Sequence, residues 1–335
     1  MATEIFEQSN VHVDVDLTNF AVGYGSNIPG FVADRVMPAV PVAKQSDEYL
    51  QFGAEHRIPD TDVQGDKSAP HEVEQSFERK SYTCERHALT EFIPDSWRAN
   101  ADDAVSRALE DTAKVAFLKE KVLLNRELTV KGLLATSGSY DSDLYENMDT
   151  VANRNFDDSS GPGALKTLLS FIEAVEGKCG MAPDTMLVSS DAWVYLSCDS
   201  AFFGGGAVNV ALTAEALADI LGLRQVLKVG TRYADQKRKA GGAVTLSRLW
   251  TSNCVWLTYS PQAQTMLDPS IGKTFKWNAP GYQNGEIVRT IRDERPGDGG
   301  TWIEYKQFYV PKLTFLDSSS KIISGAFLAN VYDAI

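Results

Sequence analysis

The stretch "LEDTAKVAFLKEKVLLNRELTVKGLL", residues 109–134, decides how the rest of this chain is read. It is the middle and end of one long helix. Pro94, Asp95 and Ser96 supply a start signal, and Asn100 with Asp102 and Asp103 a second, with acids near the positive end of the helix. Gly132 falls in the last turn, and "SGS" at 137–139 stops the helix. From about Asn100 to Leu134 it would run on the order of 50 Å; ordinary helices average about 11–12 residues. Its apolar residues form two stripes. One holds Val105, Ala108, Leu109, Val115, Ala116, Val122, Leu123, Val130, Leu133 and Leu134. A narrower one, nearly opposite, holds Phe117, Leu124 and Leu128, which project together at 100° per residue. A surface helix in a monomer needs one buried stripe, so two imply burial on both sides, by its own domain or by a neighbour.

Upstream, residues 44–93 read as a long hairpin. "DEYLQFG" alternates Tyr49 and Gln51 with Leu50 and Phe52, and "SYTCERHALTEFI" returns with Tyr82, Cys84 and Arg86 on one face. The tip, "IPDTDVQGDKSAPHEVEQ", is polar and has no core of its own. Such a hairpin is marginal alone and needs something to lie on. Residues 1–43 read as an extended arm. Gly23, Gly25, Pro29, Gly30, Pro38 and Pro41 break helix and strand, yet Phe20, Tyr24, Phe31, Val36 and Met37 are too apolar for a linker. The expectation is that the arm packs on a surface, with another chain as one possible owner of it.

Downstream, residues 136–163 are a polar excursion, and from 164 the pattern is α/β. "GALKTLLSFIEAVEGKCG" is a helix with a glycine stop, "TMLVSS" a buried strand, and "DAWVYLSCD" a short helix capped near Asp191. "TAEALADILGL" is a helix between a Thr213 cap and a Gly222 stop; "RQVLKVGTRY" and "LWTSNCVWLTYSP" are strands. A β-hairpin around "RPGDGG" and a final strand, "KIISGAFLANV", close the chain. No internal repeat appears.

Composition sets the outer bounds. The 335 residues are 43% hydrophobic and 23% charged, an ordinary globular balance. The 32 basic and 45 acidic side chains leave a net charge of −13, which argues against general nucleic-acid binding. The basic cluster Lys237, Arg238 and Lys239 reads as a solvated turn. No uninterrupted apolar run is long enough to span a membrane, and the acidic start "MATEIFEQSNVHVDVDL" does not fit a signal peptide. Cys84, Cys179, Cys198 and Cys254 form no CxxC pair, so buried thiols in a reducing, cytoplasmic setting are expected.

Tests for chemistry fail one by one. "SIGKT" at 270–274 has Leu267 where a phosphate-binding loop needs its first glycine. "GGG" at 204–206 lacks dinucleotide spacing. "HEVEQ" at 71–75 has Gln in place of the second zinc histidine, and no histidine follows His87. Cys84 and His87, three apart on a strand, point to opposite faces. There is no GxSxG elbow, and no carboxylate pair stands out. No catalytic residue, cofactor or metal site is expected.

The order of parts resembles the major capsid protein of tailed bacteriophages, with its Hong Kong ninety-seven-type fold, over essentially the whole chain. Local likenesses are "CERHALTEFIPDSW" running into the long helix, "LTAEALADILGLRQVLKVG", and "NCVWLTYSPQ" followed by "SIGKTFKW". The resemblance implies an α+β capsid fold. Residues 1–43 would be the N-terminal arm and 44–93 the extended loop. Residues 94–179 would be the peripheral domain, with its spine helix at about 95–135, and 180–260 the axial domain. Residues 261–335 would return to the peripheral domain. It implies a structural protein, not an enzyme, that assembles with itself into pentamers and hexamers of an icosahedral shell around double-stranded DNA, without sequence-specific binding. Portal, separate scaffold and decoration proteins are implied partners, no membrane is, and the location is the virion capsid after assembly in the host cytoplasm. A scaffold segment would be a separate protein or one already removed, since the arm begins almost at Met1. Some members crosslink a loop lysine to a neighbour's asparagine; Lys67 is the loop-tip lysine here, with no identifiable partner. The implied inter-subunit contacts are Phe20, Tyr24, Phe31, Tyr49, Phe52, Lys67, Tyr82, Phe117, Leu124 and Leu128. A bacterial nanocompartment shell shares the fold, and an α/β enzyme is the remaining alternative.

Overall fold

The expected element at about 95–135 is two helices: the first start signal opens a short one, Asp95–Ala99, with Asn100 as its C-cap, and the spine is helical over Ala104–Leu134. Asp102 and Asp103 of the second signal lie outside the described residues. A computed structural model describes residues 11–24, 30–54, 63, 69, 78–100, 104–150, 156, 163–199, 202, 212–234, 244–261, 265–295, 297 and 299–332, with side chains of the spine from Arg107 onward.

The strands in chain order are β1 (Val11–Val13), β2 (Ala39–Val42), β3 (Ser46–Gln51), β4 (Glu78–Thr83), β5 (Glu85–Pro94), β6 (Tyr145–Asn147), β7 (Thr185–Ser189), β8 (Gln225–Val229), β9 (Arg232–Ala234), β10 (Leu246–Arg248), β11 (Cys254–Thr258), β12 (Gly272–Trp277), β13 (Glu286–Asp293), β14 (Gly300–Leu313) and β15 (Gly325–Ala329). The helices are α1 (Val15–Tyr24), α2 (Ala33–Val36), α3 (Asp95–Ala99), α4 (Ala104–Leu134), α5 (Gly163–Cys179), α6 (Ser190–Leu196) and α7 (Ala214–Leu221).

Two sheets organise the molecule. The first runs β1-β13-β14-β12-β2, and β5 pairs with β14. Residues 300–307 of β14 pair with both β13 and β5, so β5 lies on the opposite side of β14 from β13. Alternation decides which face is buried: Ile303, Tyr305 and Tyr309 meet Val115, Leu118 and Val122 of α4, with Leu17 and Ala21 of α1 beside them. The second sheet runs β6-β15-β11-β7-β8. Its strands β7, β11 and β15 are buried at every position, as an apolar strand with both faces covered must be. Helices α5, α6 and α7 cover one face. The other packs Leu187, Leu227, Trp256 and Phe327 against Val130 and Leu134 at the end of the spine. Helix α7 has the expected ends: Thr213 Oγ1 accepts from Ala216 N, and Gly222 takes the left-handed conformation that glycine adopts without penalty.

Three expectations need correcting. First, the final strand does not return to the peripheral sheet: β15 sits between β6 and β11 in the α/β sheet. Its all-apolar run, buried throughout, suits the centre of that sheet. Second, α5 packs with α7 and β15 in the α/β core, so a boundary at 179 cuts through one packed unit. Third, the arm is not without partners in its own chain. β1 pairs with β13, α1 lies on α4, and β2 pairs in parallel with β12. The hairpin base is as expected, β3 against β4, and it too rests on its own chain, through Tyr49 and Tyr82 on Phe275.

Candidate assembly surfaces

The spine helix meets different surroundings on its two sides. Its inward side is only partly apolar. Lys119, Arg126 and Glu127 are buried there, and burial of three charges demands partners. Lys119 Nζ donates to Ala21 O at the end of α1 (2.5 Å) and to Glu286 Oε2 (2.7 Å). Lys276 Nζ donates to Glu286 Oε1 (2.8 Å), and Gln307 Nε2 donates to the same oxygen (3.1 Å). Arg126 reaches Gln307 Oε1 (3.1 Å) and Asp34 Oδ1 of α2 (2.5 Å), and its guanidinium lies 4.8 Å from the Tyr309 ring centre. Burial pushes the Glu286 carboxyl up, but Lys276 and Lys119 hold it below the usual carboxylate range overall. Burial lowers the Lys276 ammonium against the pull of Glu286.

Glu127 is 0% exposed and has a different task. Its carboxylate accepts from Val32 N (3.1 Å), Ala33 N (2.8 Å) and Trp250 Nε1 (2.7 Å). Burial raises its pKa, while those three N–H groups pull the other way. The strap 30–37 is also held from the α/β side. Thr231 Oγ1 donates to Gly30 O at short range, and Ser260 Oγ donates to Val36 O (2.6 Å). The arm thus joins spine and α/β sheet within one subunit.

Among the described residues, chain-internal partners run out on the outward side of the spine. Leu109 is 65% exposed, Phe117 48% and Leu128 37%. Lys121 Nζ lies 5.3 Å from the centre of the Phe117 ring. Leu124 differs from the expected outer stripe: it is half-buried and packs against the cluster of Val130 and Leu134. Leu109, expected on the inner stripe, faces outward, and Leu118 takes the inner position.

The arm and loop candidates divide in the same way. Tyr49, Phe52 and Tyr82 are interior residues of the subunit: Phe275 stacks on Tyr82 and lies tilted against Tyr49, and Phe315 stacks on Phe52. They leave no face for a neighbour. Phe20 is half-buried against the α1–α4 cluster and stacks on Tyr24, which is exposed. Phe31 is half-buried. Lys67 lies outside the described residues. Sequence reasoning missed Trp97 of α3 and Val194 and Tyr195 of α6, all exposed. The signal for α6 was available, since Val194 and Tyr195 fall off the face that carries Ala192, Trp193 and Leu196.

Of the motifs tested for chemistry, "HEVEQ" at 71–75 and "GGG" at 204–206 lie outside the described residues, and the others have structural roles. Lys273 of "SIGKT" is buried and donates to Thr265 O and Asp268 O, both at 2.6 Å, fixing a turn. Cys84 Sγ donates to Phe275 O (3.5 Å), and burial pushes its thiol up to about 11. His87 stacks on Tyr309. Among the described residues, no three His, Cys, Asp or Glu side chains could hold a metal, and no helix is long and apolar enough to cross a membrane.

Comparison with known proteins agrees with this architecture. No family model matches the chain. The major capsid protein of Pseudomonas phage JBD67 is 24% identical over 279 residues, covering 79% of this chain and 83% of that protein. A phage-related protein of Bordetella bronchiseptica RB50 superposes with a TM-score of 0.70 at 16% identity, over 95% of this chain and 97% of that one. A protein described as the capsid protein of an Escherichia coli CFT073 prophage gives 0.54 at 9% identity, over 95% and 99%. The SrpI encapsulin of Synechococcus elongatus PCC 7942 gives 0.51 at 10% identity, over 93% and 92%. The chain therefore has the α+β capsid fold of tailed phages, and a phage major capsid protein is its relative in sequence.

Proposed function

We propose that this chain is the major capsid protein of a tailed phage, a structural subunit whose copies assemble into the icosahedral head shell around double-stranded DNA. The observation that carries the reading is the sequence relative, a phage major capsid protein aligned over most of both chains, together with a capsid fold along nearly the whole length. Pentamers and hexamers, a portal, and separate scaffold or decoration proteins follow as partners. Residues 11–54 serve as arm and loop root, and β5, α4 and β12–β14 form the peripheral unit. Residues 140–260, with β15, form the axial unit. No catalytic residue is assigned. A net charge of −13 suits a wall that confines DNA without gripping it, so release of DNA from opened shells should depend only weakly on salt. A shell around an enzyme cargo is the second reading, supported by the encapsulin likeness.

Leu109, Phe117 and Leu128 are the proposed dock for a neighbour, the tip of its hairpin being the segment with least core of its own. Negative-stain microscopy of the protein, alone and with its genomic neighbours, should reveal polyhedral shells; monomers under every condition would overturn the reading. Shell contents, DNA or protein, separate the two kinds of container. Phe117→Asp, or deletion of 55–75, should abolish shells while leaving a folded subunit. Normal shells from either would refute the docking surface.

A further inference from the structure

The unpaired edge of β5 is a second surface for assembly. Long strand edges attract other strands, and proteins blunt them with shortness, lysine, proline or cover. Most other edges among the described residues are blunted; β3, six residues with no Lys, Arg or Pro, is not. β1, β6, β9 and β10 are three residues each, and β2 carries Pro41. β8 has five residues and an exposed Lys228, and β4 carries Arg79 and Lys80. β5 carries such residues only at its ends, Arg86 and Pro94, and is long between them. It is ten residues long, about 33 Å at strand rise. From His87 to Ile93 it contains no Lys, Arg or Pro. It pairs with β14 on one side, and no described strand pairs with the other. Ala88 and Thr90 are exposed there.

We infer that the outer edge of β5 receives the outer edge of β1 from a second copy of this chain, joining the first sheets of adjacent subunits. This rests on the shell reading and adds a contact to it. β1 is the opposite edge of the same sheet, so copies set side by side bring β1 and β5 together. The contact is heterologous and propagates round a ring. The strand directions agree: β1, β13, β14 and β5 alternate, so β1 of the next copy meets β5 antiparallel. Val13 and Val15 stand exposed beside that edge, and joining the sheets would cover them.

The test uses the full chain with Cys198→Ser, which removes the exposed native thiol. His12→Cys is combined with Ala88→Cys or with Thr90→Cys, all exposed positions, and assembled shells are oxidised. The expected result is a ladder of dimers, trimers and higher species in at least one pair and none in the single variants. Dimers from Thr90→Cys alone would mean that β5 meets β5 and would overturn the inference. Intact shells with no crosslink would overturn it while leaving the shell reading in place. Absence of shells from the unmodified chain would overturn that reading and this contact with it. As a second measurement, Thr90→Lys should cause loss of shells with an unchanged subunit melting temperature; normal shells would count against the edge.

Discussion

Replacing Glu127 by alanine is the sharpest test of the claim that the arm is fixed by its own subunit. The substitution leaves three donors without an acceptor: Val32 N, Ala33 N and Trp250 Nε1. The site is fully buried, so water does not readily replace the carboxylate. A buried donor left unsatisfied costs about 1–3 kcal/mol. Removing a carboxylate whose burial is itself unfavourable offsets part of that, since burial raises its pKa. The expected net loss is roughly 4 kcal/mol, a large share of the roughly 5–15 kcal/mol typical of a folded domain. Glu127→Gln keeps one acceptor but turns an N–H toward the strap's own N–H groups, so about half that loss is expected. Urea unfolding of dilute subunits measures the loss, and trypsin cleavage after Arg35 localises it. A loss under about 1 kcal/mol, with Arg35 still protected, would refute the reasoning.

Three further outcomes are expected. Gly325→Ala should cost about 1–3 kcal/mol by overpacking, because a Cβ there would sit 2.6 Å from Leu257 O and 2.8 Å from Ile271 Cδ1; a thermal melt measures it, and an unchanged melting temperature would contradict the packing. Among the cysteines, native-state alkylation followed by mass spectrometry should modify Cys198 alone. Cys84, Cys179 and Cys254 are buried, with the Cys84 thiol pushed up to about 11 and that of Cys254 to about 12. Lys273 gives a pH signature: burial lowers its pKa from 10.5 to about 8, so in the window between those values the unfolded chain holds the proton and the folded one does not. Stability from this group therefore rises with pH across that window, and Lys273→Met should lose that slope in urea midpoints.

Local pattern was legible wherever one strong period or cap decided an element. The spine, α5, the Thr213–Gly222 helix and the β13–β14 hairpin follow from stripes, caps and turn residues that act within a few positions. Sheet membership was not legible, because it depends on partners far apart in sequence. "GAFLA" has the composition of any buried strand, and only its pairing with β11 assigns it to the α/β sheet. The helix stripes failed in an instructive way. Counting only apolar residues hid Lys119, Arg126 and Glu127, which share the buried side because Glu286, Gln307, Asp34 and two backbone amides wait there. The aromatic residues of the loop root, Tyr49, Phe52 and Tyr82, were read as contacts to a neighbour; sequence could not say that Phe275 and Phe315 of the same chain meet them.

Those buried charges change how a container subunit is completed. A wholly apolar spine would hold the sheet as well, and often better, since buried ion pairs seldom add net stability. A wholly apolar spine could also slide or rotate on the sheet, because dispersion contacts are not directional. Lys119 and Glu127 each carry a bond into the arm, and Arg126 carries one into α2, so position along the spine is fixed by three separate polar contacts. Residues 11–24 and 30–54 are therefore settled within the subunit rather than awaiting a neighbour. On the proposed contacts, what a second copy would supply is narrower: cover for Leu109, Phe117 and Leu128, which are exposed on the outer spine, and a strand for the edge of β5. A subunit built this way meets its neighbours with a rigid frame. Each contact surface is then already in place before assembly begins, which lowers the ordering cost of every joint in a shell of many copies.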